Sequence, residues 1–276
     1  MNAIKITTIM DNLSSAHKAL HSEHGLCFCI ETEGRRILFD FGAGIHALEN
    51  ARKLNIRPEE MDYAVGSHGH YDHAGGYPFF AESGLTCPLV TGPGFFTEKY
   101  ALEGIRATYL GTGFGPHYLE EKGISCLEAA PVLQLTKNCW ALGGFERKWA
   151  FETIPERFVL RTGDRFSPDL FEDEICLAVE EKGSLIVILG CSHPGILNIL
   201  EHVQNYFKKP IRAVVGGTHL VEAGRERIEK TISVMKGMGI SLIGFNHCSG
   251  PLLIEMMKEE TELNTVYLGA GDCLFL

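Results

Sequence analysis

The sequence predicts an α/β fold: a four-layer αββα sandwich in which two mixed β-sheets pack face to face and helices cover their outer faces. Two observations predict this architecture. Apolar runs of strand length alternate with amphipathic stretches of helical period along the chain. Each half also passes through a strand–turn–strand unit, a helix and a further strand in the same order, which indicates one domain over residues 1–276 with internal pseudo-symmetry.

The first half opens with the strand IKITTIM. The segment LCFCIETEGRRILFDFG then contains two β-rich runs around a turn at residues 32–34, which is typical of a hairpin. Next, AGIHALENARKLN carries Ile45, Leu48 and Leu54 at helical spacing, and MDYAVGS indicates a short buried strand. The predicted order is therefore strand, hairpin, helix, strand.

The second half repeats this order. DEICLAVEEKGSLIVILG predicts a hairpin that turns at residues 181–183, and the next helix carries an apolar stripe. The stripe consists of Ile196, Ile199, Leu200, Val203 and Phe207. We then expect the strand IRAVVGG, a helix in AGRERIEKTISVMKGMG, the strand ISLIGFN, a short helix in PLLIEMMKEE and one closing strand in TVYLGAGDCLFL.

Residues 85–170 have few clean periods and carry glycine, proline and both tryptophans. We expect variable loops and strands that cover the site in this region, because long irregular segments of compact domains tend to be functional.

Composition and charge narrow the classes of partner. Of the 276 residues 45% are hydrophobic, and 25 basic minus 35 acidic residues give a net charge of −10. Without a basic run we expect no nucleic-acid partner, although a bound metal could still attract a phosphate-bearing small molecule. The first residues do not have the pattern of a secretory signal and no apolar run approaches ~18 residues. We therefore expect a cytoplasmic protein with no secretory signal, no membrane partner and reduced cysteines. Homo-oligomerisation stays open.

The strongest chemical signal is SHGHYDHAGG, which follows a predicted strand. Three histidines and an aspartate lie within six residues there, namely His68, His70, Asp72 and His73. Neutral imidazole is the commonest metal ligand, and a carboxylate adds an anionic ligand or a base that orients metal-bound water. The glycines in the motif let backbone pass close to a crowded site. The motif therefore predicts a metal centre.

Three more histidines follow strand ends. LIVILGCSH reaches His193, AVVGGTH reaches His219, and SLIGFNH reaches His247. If these strands are parallel neighbours, their carboxyl ends share the edge of the sheets where ligands bind. For His219 a contact outside the ligand set, substrate binding and capping all stay open. Five other histidines are expected to be ordinary surface or core residues: His17, His21, His46, His117 and His202.

These motifs, together with LFDFG and NHCSG, resemble the metallo-β-lactamase superfamily over nearly the whole chain. The resemblance implies the αββα fold with the site at one edge of the sheets, and it implies that Asp40 supports the motif loop from outside the ligand set. The implied ligands are His68, His70 and His193 for a first metal and Asp72, His73 and His247 for a second. DN at residues 11–12, DEICLAV, GCSHPGILNI, GGTHL and HCSG are further similar to the branch named for 7,8-dihydropterin-6-methyl-4-(β-D-ribofuranosyl)-aminobenzene 5′-phosphate synthase.

Two departures from the superfamily pattern matter. Many dinuclear members have a bridging aspartate after the strand equivalent to LIVILG, whereas this chain reads CSH up to His193. Either His193 fills that position, or another aspartate such as Asp164 or Asp272 reaches in, or the second metal is weakly held. The redox flavo-diiron branch has a glutamate ligand where this chain has Gly69, which argues against that chemistry.

We expect a metal-dependent hydrolase that acts on a phosphate ester or a phosphodiester, including a cyclic one, through metal-bound hydroxide. Asp72 would orient the hydroxide, and His219 would contact the phosphate or protonate the leaving oxygen. One or two divalent transition-metal ions are expected, zinc first and manganese or iron as alternatives. Two other functions stay open: a mononuclear iron oxygenase of the persulfide-dioxygenase type, and a metal-containing binding module without turnover.

Overall fold

The computed structural model of the protein describes residues 4–16 and 18–276, and within them the strands form two seven-stranded sheets and one four-stranded sheet. In spatial order, the first sheet contains β18 (Cys273–Phe275), β1 (Lys5–Met10), β2 (Cys27–Thr32), β3 (Arg35–Phe39), β4 (Tyr63–Val65), β5 (Leu89–Thr91) and β8 (Cys126–Glu128). The second contains β17 (Asn264–Tyr267), β16 (Leu242–Phe245), β15 (Ile211–Gly216), β14 (Ser184–Leu189), β13 (Cys176–Glu181), β10 (Cys139–Leu142) and β9 (Val132–Thr136).

The third sheet and the helices complete the fold. The third sheet contains β12 (Arg165–Pro168), β11 (Phe158–Thr162), β6 (Glu98–Glu103) and β7 (Arg106–Tyr109). The helices are α1 (Ile45–Lys53), α2 (Tyr71–Ala74), α3 (Tyr77–Glu82), α4 (Pro116–Lys122), α5 (Ile196–Phe207), α6 (Arg225–Gly237) and α7 (Pro251–Lys258). Short 3-10 turns lie at Pro58–Glu60 and His247–Ser249. None of the helices in the described ranges is long and apolar enough to cross a membrane.

The two large sheets have the same sequence of strand directions. From β18 to β8, three antiparallel pairs are followed by three parallel pairs, and the same order runs from β9 to β17. The hairpins β2–β3 and β13–β14 occupy equivalent places, and each is followed by a helix and a parallel strand. The structure therefore has the pseudo-symmetry that the repeated order of elements indicates.

Side-chain alternation along the strands explains the four layers. In β14, Ile186 and Ile188 lie in the core between the two sheets, whereas Leu185, Val187 and Leu189 pack against α5, α6 and α7. The first sheet alternates in the same way and packs its other face against α1 and α3. This architecture confirms the αββα prediction. The α5 stripe is also confirmed.

Three local predictions need correction. Ile45 is exposed at the start of α1, so it does not belong to the buried face of that helix. TVYLGAGDCLFL is not one strand: it forms β17 in the second sheet and β18 in the first, with a turn between them. Residues 85–170 supply β5 and β8 to the first sheet, β9 and β10 to the second, and the whole third sheet, so they are more regular than expected. The single domain over residues 1–276 stays a prediction.

Candidate metal centre

The candidate metal centre lies at the carboxyl ends of the parallel strands of both large sheets. From the first sheet, Asp40 follows β3 and His68 follows β4, and these strands are parallel neighbours. From the second sheet, His193, His219 and His247 follow β14, β15 and β16, which are also parallel neighbours. Because parallel strands end at one edge, this topology brings five distant segments together.

His68, His70 and His193 form the first cluster. One ring nitrogen from each lies within 4.8 Å of the other two, and all three residues are buried. Nε2 of each ring has no hydrogen-bond partner among the described residues. Burial lowers the pKa of all three histidines well below the usual range, so the rings are neutral. Unpaired, buried, neutral imidazole nitrogens that face one another fit a divalent transition-metal ion.

Asp72, His247 and His24 form the second cluster, with their ligand atoms again within 4.8 Å. Oδ2 of Asp72 lies 3.1 Å from Nε2 of His24 and 3.2 Å from Nε2 of His247. Burial alone would raise the pKa of Asp72, but the charge of His73 and the hydrogen bonds from His24 and His247 lower it well below its usual range. The second cluster therefore offers an ionised carboxylate and two imidazoles.

His73 and Cys191 lie between these two clusters. Nε2 of His73 is 3.1 Å from Sγ of Cys191 and 3.2 Å from Nε2 of His247, but 3.7 Å from Oδ2 of Asp72. His73 and Cys191 also form a ligand-type group with His68. The position that lacks the expected carboxylate thus presents a buried thiol, whose pKa burial raises well above the usual value.

Asp40 orients two of the histidines. Its Oδ2 lies 2.6 Å from Nδ1 of His73 and accepts a hydrogen bond from Oγ of Ser67 at 2.8 Å, while Oγ of Ser67 lies 3.0 Å from Nδ1 of His68. Because the Ser67 hydroxyl donates its hydrogen bond to Asp40, its oxygen accepts one from Nδ1–H of His68, and Asp40 accepts one from Nδ1–H of His73. Both rings therefore carry a proton on Nδ1 and direct Nε2 toward the centre. Burial opposes the protonation of His73, but the negative charges of Asp40 and Asp72 outweigh burial and raise the pKa of His73 to about 9.

The pair Asp11–Asn12 performs a similar task for His247. Oδ1 of Asp11 accepts the backbone N–H of His247 at 2.7 Å, and Oδ1 of Asn12 lies 2.8 Å from Nδ1 of the His247 ring. Nδ2 of Asn12 donates to the His247 carbonyl at 3.1 Å. Nε2 of His247 is therefore the nitrogen that faces Asp72.

His219 also reaches the centre. Its ring centroid lies 4.1 Å from that of His193, and its backbone N–H donates to Sγ of Cys248 at 3.2 Å. Both of its ring nitrogens are buried and have no partner within the described part of the chain. The alternatives Asp164 and Asp272 do not reach the centre: Asp164 is exposed in the β11–β12 turn, and Asp272 accepts the N–H of Gly269.

The backbone around the centre is strained. Of the ten non-glycine residues with positive φ in the described ranges, five border it, and the others lie mostly in turns. The five are Asp40, Phe171, Ser192, His219 and His247. Such conformations cost about 1–3 kcal/mol each and persist where packing enforces them, which is typical of functional sites.

Close backbone contacts explain the glycines of the motif. A Cβ on Gly69 would lie 2.1 Å from the carbonyl oxygen of Phe95, and a Cβ on Gly76 would lie 1.9 Å from that of Phe41. Neither position can hold a side chain without moving backbone, as the motif predicts.

A cavity of about 230 Å³ opens onto the centre. His70, Asp72, His193, His219 and His247 line it. Among its described lining residues, Arg157 is the only lysine or arginine, and its guanidinium forms a bidentate pair with Glu222. The cavity therefore combines metal-type ligands with one guanidinium that is paired with a glutamate of the same cavity wall.

The other histidines lie away from the centre. His21, His46 and His117 pair with glutamates at the surface, and His202 packs against Phe145. The prediction for His17 falls outside the described residues.

Sequence reasoning missed several residues of this region. His24 precedes β2 and does not follow a strand end, so the rule that found the other histidines could not find it. Asn12 and Cys191 appear in quoted motifs, but only the fold shows that they contact His247 and His73.

The fold and the centre together define a protein of the metallo-β-lactamase type, with ligand-type residues from both sheets at one edge of an αββα sandwich. The family described as metallo-beta-lactamase superfamily matches residues 23–89. A Methanocaldococcus jannaschii protein is 33% identical over 98% of this chain and 96% of its own length. The chain therefore belongs to the metallo-β-lactamase superfamily.

That relative is named 7,8-dihydropterin-6-methyl-4-(β-D-ribofuranosyl)-aminobenzene 5′-phosphate synthase. The crystal structure of Tm1679, described as a metal-dependent hydrolase of the β-lactamase superfamily, is similar with a TM-score of 0.86 and 29% identity over 99% of both chains. YhfI from Bacillus subtilis has a TM-score of 0.59 at 12% identity over the full length of both chains, which supports the fold alone.

Proposed function

We propose that this protein is a metal-dependent hydrolase of a small phosphate ester or phosphodiester. The observation that carries the proposal is the meeting of unpaired, buried imidazole nitrogens and the Asp72 carboxylate beside one cavity. Such a donor set suits divalent transition metals, and the Arg157 guanidinium suits an anionic substrate.

His68, His70 and His193 would hold one ion, and Asp72, His73 and His247 would hold a second. Cys191 would offer a thiolate to this centre, which favours zinc, with iron as an alternative, over harder cations. Such ions, when bound, supply Lewis-acid activation of a phosphoryl oxygen and lower the pKa of water toward about 7.

The chain's own residues would orient the substrate and move protons. Asp72 would accept a hydrogen bond from the attacking water through its ionised carboxylate. Both ring nitrogens of His219 are free to contact a phosphoryl oxygen or to deliver a proton to the leaving oxygen. A phosphate would compete with Glu222 for the guanidinium of Arg157, because both form bidentate hydrogen bonds with it.

The test uses bis-p-nitrophenyl phosphate and p-nitrophenyl phosphate with the chain loaded with Zn²⁺ or Mn²⁺. We expect release of p-nitrophenol by the loaded chain and none by the chelator-treated chain. His70→Ala should lose metal and activity together, whereas His117→Ala, an exposed histidine on α4, should keep both. A fully loaded chain that releases nothing would contradict the proposal, and an active, metal-retaining His70→Ala variant would refute the assignment of His70.

The named relative favours a second candidate, a synthase that forms 7,8-dihydropterin-6-methyl-4-(β-D-ribofuranosyl)-aminobenzene 5′-phosphate. The loaded chain would then leave both nitrophenyl esters intact but would bind that 5′-phosphate in calorimetry. Oxygen uptake with a persulfide by the iron-loaded chain would instead favour the oxygenase alternative.

The cytoplasmic location, the lack of a nucleic-acid partner and homo-oligomerisation stay predictions.

A further inference from the structure

The segment Asp173–Ile175 crosses directly behind the first histidine cluster. Oδ2 of Asp173 accepts the backbone N–H of Gly69 at 2.7 Å, and the backbone N–H of Ile175 donates to the carbonyl of Ser67 at 2.7 Å. These hydrogen bonds flank His68 and fix the backbone between the two ligand histidines of the motif.

The next carboxylate along the same segment holds the third histidine. Glu174 accepts the backbone N–H of Ser192 on Oε1 and that of His193 on Oε2, the latter at 2.8 Å. Glu174 is buried, so these hydrogen bonds are shielded from water. Two consecutive side chains thus contact both loops that deliver the first cluster.

Lys99 compensates the buried charge of Asp173. Its Nζ lies 3.0 Å from Oδ1 of Asp173 and 2.7 Å from Oδ2 of Asp169, and all three side chains are buried. Because Lys99 belongs to β6, this ion triad connects the third sheet to the motif loop. Removal of Lys99 would leave the buried charge of Asp173 without a partner, which would be costly, so this ion pair holds Asp173 in place.

We infer that Asp173 and Glu174 are positioning residues that jointly align His68, His70 and His193 for metal binding. The inference rests on the metal centre of the proposed function but not on its substrate. Neither carboxylate belongs to a ligand-type cluster, since each is occupied by backbone N–H groups. Their effect on a metal therefore passes through the backbone of the ligand loops.

The chain provides a matched control. Glu152 is also buried and accepts two backbone N–H groups, from Leu197 and Asn198 at 2.9 Å each. Those groups belong to the first turn of α5 and not to a ligand histidine. Glu152→Gln should therefore weaken folding much as Glu174→Gln does without changing the affinity for metal.

The experiment measures Zn²⁺ and Co²⁺ affinity by competition with a chromophoric chelator for the full chain, Glu174→Gln, Asp173→Asn and Glu152→Gln, with circular dichroism to verify folding. Outer-shell partners of metal ligands typically change affinity about 10–100-fold. For Glu174→Gln and Asp173→Asn we expect losses of that size in the affinity of the site formed by the first histidine cluster. The d–d absorption spectrum of bound Co²⁺ should change as well. Glu152→Gln should match the unmodified chain in both.

The outcomes separate this inference from the proposed function. If folded Glu174→Gln and Asp173→Asn bind metal as the unmodified chain does, or if Glu152→Gln weakens binding equally, the positioning role is wrong while the metal centre stands. If the unmodified chain binds no metal, both are wrong. Asp173→Asn provides the result if Glu174→Gln does not fold.

Discussion

At the scale of single residues, the centre depends on which ring nitrogen of each histidine faces inward. Asp40 controls this for His73 directly and for His68 through Ser67, and Asn12 controls it for His247. An imidazole binds a metal through the nitrogen that carries no proton, so a hydrogen bond at Nδ1 selects Nε2 as the ligand. The residues that contact Nδ1 of these histidines therefore determine which nitrogen each ring directs toward the centre.

Asp40→Asn should lower metal affinity about 10–100-fold, because an amide no longer stabilises Nδ1–H on His73 and Oγ–H on Ser67 together. Chelator competition measures the loss. Asp62→Asn is the control, since Asp62 also accepts a backbone N–H, from Arg36 at 2.8 Å, but lies away from the centre. Equal affinities of the Asp40→Asn variant and the unmodified chain would contradict this role.

Cys191 makes a spectroscopic prediction. Thiolate is a soft ligand, and its bond to Co²⁺ adds charge-transfer absorption in the near ultraviolet that nitrogen and oxygen ligands lack. We expect this absorption in the Co²⁺-loaded chain, its loss in Cys191→Ser and its persistence in Cys139→Ser, because the buried thiol of Cys139 lies on β10 in the core between the sheets. Absorption that survives in Cys191→Ser would show that Cys191 is not a ligand.

At the scale of elements, the strand ends determine where the centre forms. Each large sheet has a parallel half, and β3, β4, β14, β15 and β16 all end at the same edge of the sandwich. The same strands also build the core, where Ile186 and Ile188 of β14 pack between the sheets together with Val215 of β15. Packing of the apolar side chains of these strands therefore fixes the positions of the strand ends, and with them the geometry of the centre.

The sequence predicts the strands and helices that have a buried face, because burial imposes a periodic pattern of apolar residues on them. Hairpins with a clear turn and apolar strands that are followed by a histidine can be recognised from the local sequence. They account for the αββα fold and for most of the candidate centre. The third sheet does not follow, because β7 and β12 are exposed along their length and have no apolar alternation. His24 does not follow either, since only tertiary packing brings its loop to Asp72.

Ile188→Ala should lower the free energy of unfolding by about 2–5 kcal/mol, because it leaves a cavity between the sheets that the surroundings cannot fill. Urea unfolding of the metal-loaded variants measures the change. Ile105→Ala is the control: Ile105 is fully exposed at the β6–β7 turn, so a change within about 0.5 kcal/mol is expected. A small effect at Ile188 would mean that the core between the sheets is not tightly packed.

At the scale of the whole molecule, the centre joins the two sheets. His68, His70 and Asp72 come from the first sheet, and His193 and His247 come from the second. A ligand that binds only when both sheets are in place stabilises the folded state as a unit. Metal binding and global stability should therefore be coupled.

Removal of metal by a chelator should lower the melting temperature, and added Zn²⁺ should restore it. For one site, free ion at ~100 Kd contributes about 2.7 kcal/mol to the free energy of unfolding. Differential scanning calorimetry at several Zn²⁺ concentrations measures the shift, with His70→Ala as the variant that should respond least. A melting temperature independent of metal would contradict the coupling.

The most direct test of the metal centre is the metal content of the chain after anaerobic purification and dialysis, measured by inductively coupled plasma mass spectrometry. The account predicts one or two transition-metal ions per chain, with zinc as the main metal. It also predicts a lower metal content in His68→Ala and His193→Ala. A chain that retains no transition metal, and takes up none when Zn²⁺, Mn²⁺ or Fe²⁺ is supplied in excess, would contradict it.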